Sequence, residues 1–312
     1  MKSVTIIGAN SYIARNLIQN VKNEALDIRL FLYDREDVHK DGCNDYAPVN
    51  ILDESSVAGI NFDVDAVILF AGKTGTYAGF DEPEAFVEVN ELGLLNVLNS
   101  MRKAKSTAKI VFPSTRLVYK GKDEPLLEND TKEFKTIYSI NKYACEQYLK
   151  MYSDVFDIRY CIFRICVPYG SLLDGVSSYG TAEFFIGKAM QGDNITLYGD
   201  GEVKRTLTYI GDICRTMLAG ALSADCMNDV YNIGGESYSL RKMAFEVAKK
   251  YGVELEYTQW PDKALKIESG STVFDSGKLD SILGNLRKMT FKNWIGGDRK
   301  STRLNSSHEW NS

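Results

Sequence analysis

The chain has 312 residues, 44% of them hydrophobic and 25% charged, which is typical of a globular protein with a sizeable core. A formal net charge of −5 makes nucleic acid and anionic membrane unlikely partners, and no apolar run approaches a membrane span. The six cysteines and two histidines show no metal-ligand spacing, so we expect reduced cysteines, no metal and a cytoplasmic location.

In chain order, the first half alternates strand and helix signals. Apolar runs at 4–7, 28–33, 66–70, 109–112 and 160–165 predict strands, and apolar periodicity predicts helices at 12–21, 84–103 and 138–152. Near-continuously apolar strands that alternate with helices indicate a parallel sheet covered on both faces. The predicted fold class is α/β, a doubly wound Rossmann sheet with its ligand cleft at the carboxyl ends of the strands.

The second half has a looser rhythm. After about residue 166 come Gly- and Ser-rich stretches, a helical pattern at 182–190 and a turn at 199–201. We predict a Rossmann domain over 1–165 and a smaller substrate-binding lobe over 166–297, partly interleaved with it. Residues 298–312 read DRKSTRLNSSHEWNS, which resembles a translated sequencing-library adapter, so we expect that tail to be an artefact.

The stretch GANSYIA (8–14) joins the first strand to the first helix. Gly8 suits a tight turn, while Ser11 and Ala14 are small enough for the places where backbone approaches a pyrophosphate and helix packs on strand. The pattern is weak alone, because an ordinary loop can also begin with glycine. Asp34 ends the second strand and could accept both ribose hydroxyls of NAD or merely cap a loop; Arg35 beside it leaves NADP open.

The stretch YSINK (138–142) lies in a predicted helix and puts Tyr138 and Lys142 one turn apart on one face. A tyrosine pKa of about 10 is too high for easy proton exchange near neutrality, and a neighbouring ammonium lowers it. Such a pair can act as a general acid and base, although Y-x-x-x-K is also common on exposed helix faces.

Together with IVFPSTRLVY, LYGDGEVKRTLTYIGDI and YNIGGESYSL, these stretches occur in an order that resembles the extended short-chain dehydrogenase/reductases. Within that superfamily the chain is similar to the sugar-nucleotide epimerase/dehydratase family, in particular its UDP-glucose 4-epimerase-like members. The resemblance covers nearly all of residues 1–297.

The resemblance implies the following roles. Tyr138 exchanges the proton of the sugar oxygen, Lys142 lowers its pKa and holds the nicotinamide ribose, and Thr115 hydrogen-bonds the reacting oxygen. Arg205 clamps the diphosphate of a nucleotide-sugar substrate, which Thr115 and Tyr138 also bind. The cofactor-binding positions are Gly8, Asn10, Ser11, Tyr12, Ile13, Ala14, Asp34, Asn50, Ile51, Ala71, Gly72, Lys73, Asn90, Tyr138 and Lys142.

Departures from the family pattern narrow the function. Family dehydratases carry Asp-Glu after the catalytic threonine, whereas here Thr115 is followed by Arg116 and Leu117, which disfavours elimination and decarboxylation. We therefore predict an NAD-dependent epimerase acting at carbon 4 of a nucleoside-diphosphate sugar. The alternatives are an NAD(P)H-dependent keto-sugar reductase and, less favoured, a catalytically silent NAD-binding regulatory protein. Apolar positions in NELGLLNVLNSM and YACEQYLKMY suit either a four-helix homodimer interface or a monomer core.

Overall fold

The structure is a computed structural model that describes residues 1–43, 45–174 and 180–297. The predicted adapter-derived tail, 298–312, lies outside the described residues.

A large parallel sheet forms the centre of the molecule. In the described ranges it has seven strands in the order β10-β6-β5-β4-β1-β2-β3, and every neighbouring pair is parallel. The strands of the described residues are β1 Lys2–Ile7, β2 Ile28–Asp34, β3 Tyr46–Pro48, β4 Ala66–Leu69, β5 Lys109–Thr115, β6 Tyr160–Ile165, β7 Val167–Tyr169, β8 Ile195–Tyr198, β9 Lys204–Tyr209, β10 Asp229–Asn232, β11 Glu236–Ser239 and β12 Leu255–Thr258.

Helices cover both faces of this sheet. The α-helices of the described residues, in both parts of the molecule, are α1 Tyr12–Asn23, α2 Glu54–Val57, α3 Ala78–Asp81, α4 Pro83–Val87, α5 Gly93–Lys103, α6 Ile137–Phe156, α7 Thr181–Met190, α8 Ile210–Leu222, α9 Leu240–Tyr251, α10 Asp262–Ile267, α11 Gly277–Leu283 and α12 Phe291–Gly296. One buried apolar cluster joins the sheet to α1 and α8, and a second joins its other face to α5 and α6. This two-sided burial explains why the central strands are apolar along their whole length.

The order of the strands determines where a ligand cleft can form. From β1 the chain adds β2 and β3 on one side, and then β4, β5 and β6 on the other. The turns after β1 and β4 therefore leave the sheet in opposite directions, and a crevice opens between them at the carboxyl ends of the strands.

A smaller lobe follows β6. Its described strands form a three-stranded sheet, β11-β9-β7, and a two-stranded sheet, β12-β8, which pack with α7, α9 and α12 around a third apolar cluster. Some segments after residue 166 return to the large sheet, because β10 pairs with β6 and α8 packs on α1.

The predicted α/β Rossmann fold is confirmed. The sequence pattern did not reveal that β10 extends the large sheet or that α8 covers one of its faces. Short apolar segments in the second half have no distinctive period. None of the helices in the described ranges is both long and apolar enough to cross a membrane.

Candidate functional site

The turn after β1 is built around Gly8, which has a positive φ of 89°. A Cβ on Gly8 would lie 2.3 Å from the backbone nitrogen of Ala71, so the turn after β1 and the chain after β4 approach closely enough to exclude any side chain. Ser11 then caps α1, but its buried hydroxyl has no hydrogen-bond partner among the described residues. The amino terminus of α1 therefore carries a hydroxyl without a partner in the described ranges, at the positive end of the helix dipole, which suits an anion.

Asp34 lies beside this turn at the end of β2. Its carboxylate accepts hydrogen bonds from the backbone N–H of Asn10 (2.9 Å) and of Arg35 (2.7 Å). The Asn10 side chain in turn donates to Glu36 and to the carbonyl of Val38. Asn10 thus holds the segment after β2 against the turn after β1, and Asp34 stays partly exposed at their junction.

The next residues of the turn connect the two parts of the molecule. The Tyr12 hydroxyl donates to the carbonyl of Gly170, which follows β7. Ala14 is fully buried against the sheet, and Ile13 is half-buried. Tyr12 therefore fixes the position of the chain after β7 relative to the turn.

Asn90 organises the loop after β4. Its side-chain oxygen accepts from the backbone N–H of Lys73 (2.7 Å), and its amide donates to the Lys73 carbonyl (3.1 Å). A Cβ on Gly72 would lie 2.9 Å from that same oxygen, so this loop also needs glycine. Asn90 lies in a π-helical turn, Glu88–Leu92, a rare geometry that is frequent at functional sites.

Asn50 and Ile51 follow β3. The Asn50 side-chain oxygen accepts from the backbone N–H of Leu52 (3.1 Å), and the residue is exposed. Ile51 is buried, and a Cβ on Gly93 would lie 2.5 Å from its side chain. Near the end of β3, Asn50 is thus open to solvent and Ile51 is part of the core.

Three of the predicted site residues meet where β5 ends beside α6. A capping box of Thr136 and Ser139 starts α6, and this places Tyr138 in its first turn. Thr115, the last residue of β5, hydrogen-bonds the Tyr138 side chain. The Lys142 ammonium donates to the carbonyl of Pro113 (2.8 Å) and lies 5.8 Å from the centroid of the Tyr138 ring.

Burial affects both ionisable groups of this cluster. It raises the pKa of the Tyr138 phenol above its ordinary value, although the hydrogen bond from Thr115 acts in the opposite direction. Burial also lowers the pKa of Lys142 to about 8. In the chain alone, the pKa of the phenol is therefore raised by desolvation, whereas the Tyr-Lys spacing predicted a lowered pKa.

A buried ionic network supports the cluster from below, and sequence reasoning missed it. The Arg164 guanidinium forms a bidentate pair with Glu146 (2.9 and 2.6 Å), and the Ser114 hydroxyl donates to the same carboxylate (2.5 Å). Arg164 also donates to the Tyr119 hydroxyl (2.7 Å). Glu146 follows Lys142 by four residues and so lies on the same face of the helix as Tyr138 and Lys142. This spacing is the sequence feature from which a buried partner for Glu146 could have been predicted.

Arg205 has partners inside the chain. It lies in β9, is almost fully buried, and donates to the Glu268 carboxylate (2.6 Å) and to the carbonyl of Gly270 (2.6 Å). Its predicted role as a diphosphate clamp stays a prediction. Arg116, in the turn directly after Thr115, has a buried Nη1 atom without a partner among the described residues, and sequence reasoning gave it no binding role.

Comparison with known proteins places this site in a family. Residues 4–234 match the model of the NAD dependent epimerase/dehydratase family. The chain belongs to this family. The membership confirms the resemblance and, because the family is NAD-dependent, it also confirms NAD as the predicted cofactor. Family members are enzymes that act on nucleotide sugars.

Individual relatives differ in the reaction named for them. A Methanocaldococcus jannaschii protein provisionally named UDP-glucose 4-epimerase is 27% identical over 253 residues, which are 79% of this chain and 81% of that protein. The UDP-N-acetyl-alpha-D-glucosaminuronate decarboxylase of Bacillus cytotoxicus is 28% identical over 207 residues, 64% of this chain and 63% of that one. The UDP-glucuronic acid 4-epimerase of Bacillus cereus, solved with UDP-glucuronic acid and NAD, has a TM-score of 0.80 at 20% identity over 94% of this chain and 96% of that chain, and so shares the fold.

The residues of this epimerase/dehydratase family member fit NAD. A pyrophosphate can bind the amino terminus of α1 in a cradle formed by the turn after β1 and by the Ser11 hydroxyl, which has no partner among the described residues. Asp34 lies at the end of β2, where a carboxylate can accept ribose hydroxyls.

Proposed function

We propose that this chain is an NAD-dependent epimerase that inverts carbon 4 of a nucleoside-diphosphate sugar. The observation that carries the proposal is the contact of the Thr115 and Tyr138 side chains at the carboxyl end of β5, with the Lys142 ammonium behind the Tyr138 ring. Two hydroxyls and an ammonium at the edge of a dinucleotide cleft suit the removal and return of a hydroxyl proton.

Tyr138 is the group that exchanges the proton at its phenolic oxygen. Thr115 hydrogen-bonds that phenol and would orient the sugar hydroxyl toward it. Because burial keeps the phenol protonated in the chain alone, the phenolate has to be stabilised by positive charge at the moment of transfer. Lys142 supplies one such charge on the chain's side.

The cofactor would be held by the residues of the cradle and by Lys142. Ser11 and the backbone of the turn would bind the pyrophosphate, Asp34 the adenosine ribose, and Lys142 the nicotinamide ribose. Lys142 uses one of its three N–H donors on the Pro113 carbonyl, so it has donors left for a ribose hydroxyl. NAD held by these residues would supply reversible hydride transfer at carbon 4 of the sugar.

The position after Thr115 argues for epimerisation over elimination. A dehydratase needs a carboxyl group there to move the proton of the leaving water, whereas Arg116 and Leu117 occupy the turn. A guanidinium stays protonated and does not act as a general acid at neutral pH. Thr115 and Tyr138 thus support proton exchange at one oxygen, and the turn Arg116–Val118 provides no acid for a leaving group.

We further propose that two copies associate through the outer faces of α6 and of the segment before α5. Most apolar positions of the two sequence stretches that suggested an interface are core residues, such as Leu98 and Leu149. Five apolar residues on or beside these helices remain exposed, and two of them, Leu92 and Met151, belong to the same stretches. The set consists of Val87, Leu92, Ile140, Met151 and Val155. Exposed apolar residues grouped on neighbouring helices are typical of a protein interface.

The proposal is tested by incubating the purified protein with UDP-, dTDP- and GDP-hexoses and separating the 4-isomers. The epimerase proposal predicts exchange between isomers with no net consumption of added NADH or NADPH. Continuous consumption of reduced cofactor with a 4-keto sugar would reject it in favour of the reductase. Binding of NAD without turnover of any sugar would favour a silent regulatory protein.

A further inference from the structure

Arg116 is a cation with a buried Nη1 atom, and it forms no ion pair with the part of the chain that the structure describes. The residue begins the short turn Arg116–Val118 directly after Thr115. Its Nη1 atom is shielded from solvent and has no hydrogen-bond partner among residues 1–43, 45–174 and 180–297. An unpaired guanidinium N–H in such a position costs free energy unless a partner from outside the described residues satisfies it.

The surroundings of Arg116 are short of negative charge. Its electrostatic neighbours include Arg205 and Glu268, so two guanidinium groups share one carboxylate. That carboxylate already bonds Arg205 at 2.6 Å, and two backbone carbonyls take further Arg205 donors. Burial and the Arg205 charge lower the pKa of Arg116 to about 10, which leaves it charged near neutrality. One added anion would balance the group.

The position of Arg116 indicates which part of the substrate carries that anion. Consecutive Cα atoms are about 3.8 Å apart, so Arg116 starts next to the residue whose hydroxyl contacts Tyr138. In a pyranose, carbon 4 lies across the ring from carbon 1, to which the diphosphate is attached. The Arg116 backbone thus adjoins the residue that contacts the reacting oxygen at carbon 4, and its long side chain can reach the substituents of the neighbouring carbons 3 and 5.

We propose that Arg116 binds a carboxylate at carbon 6 of the sugar, so that the substrates are nucleoside-diphosphate hexuronates. This inference rests on the proposed epimerase function and specifies its substrate class. A planar guanidinium pairs well with a carboxylate, and an oxidised carbon 6 puts that group one bond from carbon 5. We expect this carboxylate to be bound without reacting, because Arg116 acts as its binding partner and not as an acid or base.

The test compares UDP-glucuronate with UDP-glucose, which differ only at carbon 6. For the wild-type holoenzyme we expect kcat/KM for 4-isomer exchange to favour UDP-glucuronate by about 10- to 100-fold, the range for a hydrogen bond to a charged group. Arg116→Gln should reduce that ratio by a similar factor, and Arg116→Lys should restore part of it. Arg241→Gln, which removes an exposed guanidinium paired with Glu202, should leave the ratio unchanged.

Several results would overturn the assignment. One is a wild-type enzyme that handles both sugars equally or prefers UDP-glucose. Another is an Arg116→Gln variant that folds and loses both activities by the same factor, since that pattern indicates a contact with the shared diphosphate. If neither sugar is turned over, the epimerase proposal fails separately. Calorimetric dissociation constants of the wild-type holoenzyme for the two nucleotide sugars then decide the inference, and equal values reject it.

Discussion

Lys142 is the residue whose ionisation most directly links the cluster to pH. Its pKa is lowered by burial to about 8, so the ammonium is present below that pH and is lost above it. The Tyr138 phenol stays protonated over the same range because burial raises its pKa. Of these two groups, it is therefore Lys142, the cation that stabilises the transient phenolate, that titrates near neutrality.

This ionisation predicts the pH profile. We expect kcat/KM for isomer exchange to fall as pH rises through about 8. Lys142→Met should lower kcat/KM by about 10²-fold, the order expected for loss of a charge near the reacting oxygen in a site of intermediate dielectric. The falling limb should also vanish in that variant, and Lys142→Arg should move it to higher pH. A limb near pH 8 that persists in Lys142→Met would assign it to another group.

Helix α6 shows how one element serves both catalysis and stability. Tyr138, Lys142 and Glu146 follow one another at four-residue spacing, so they share a face that looks onto the end of β5. The first two belong to the proposed chemistry, and Glu146 ties that face to Arg164 in β6 and to Ser114 in β5. The site is thereby anchored to two central strands.

We expect Glu146→Gln to lower the free energy of unfolding by about 3 kcal/mol, because it leaves the Arg164 charge buried and incompletely paired. Urea unfolding measures the effect. The matched control is Glu202→Gln, which breaks an ion pair of the same 2.6 Å length that is largely exposed on both sides. It should cost less than about 1 kcal/mol. Equal costs for the two variants would contradict a structural role for the network.

At the scale of single helices, strands and turns, the sequence predicted those features that a local residue pattern encodes. Gly8 was identifiable from the strand-turn-helix order, and the structure adds why it is needed, namely the backbone of Ala71. The Tyr138 and Lys142 pair was visible as helix spacing. Arg164 and Asn90 act through residues 18 and 17 positions away, respectively, and no local periodicity encodes such contacts. From the sequence, Arg116 stands out only because it replaces a carboxylate of the family pattern. That its buried Nη1 atom lacks a partner among the described residues is a property of the folded chain.

At the scale of the whole molecule, segments from the first and the second half of the chain lie around the cleft. Tyr12 after β1 bonds Gly170 after β7, and Arg205 in β9 lies in the electrostatic range of Arg116 after β5. The parallel, doubly wound character of the large sheet could be foreseen from the alternating pattern of the first half. The return of β10 and α8 to that sheet could not, since it depends on long-range packing.

The proposed pairing of two copies is a prediction at this scale. We expect light scattering to give twice the chain mass, and Val155→Lys, at a position that is 63% exposed on α6, to give the single-chain mass. A charge there would be buried unpaired in the interface. Phe245→Lys is the control, since Phe245 is 55% exposed on α9 in the smaller lobe and should not affect assembly. A monomeric wild type, or a Val155→Lys variant that still pairs, would contradict the proposal.

The central claim is that the Tyr138 phenol transfers the proton in a site that holds NAD. The most direct measurement is Tyr138→Phe, assayed for isomer exchange and, after denaturation, for released NAD. We predict that exchange falls by about 10²- to 10⁴-fold while the amount of NAD per chain matches the wild type. Full exchange activity in the variant, or a wild-type protein that neither retains nor binds NAD, would contradict the account.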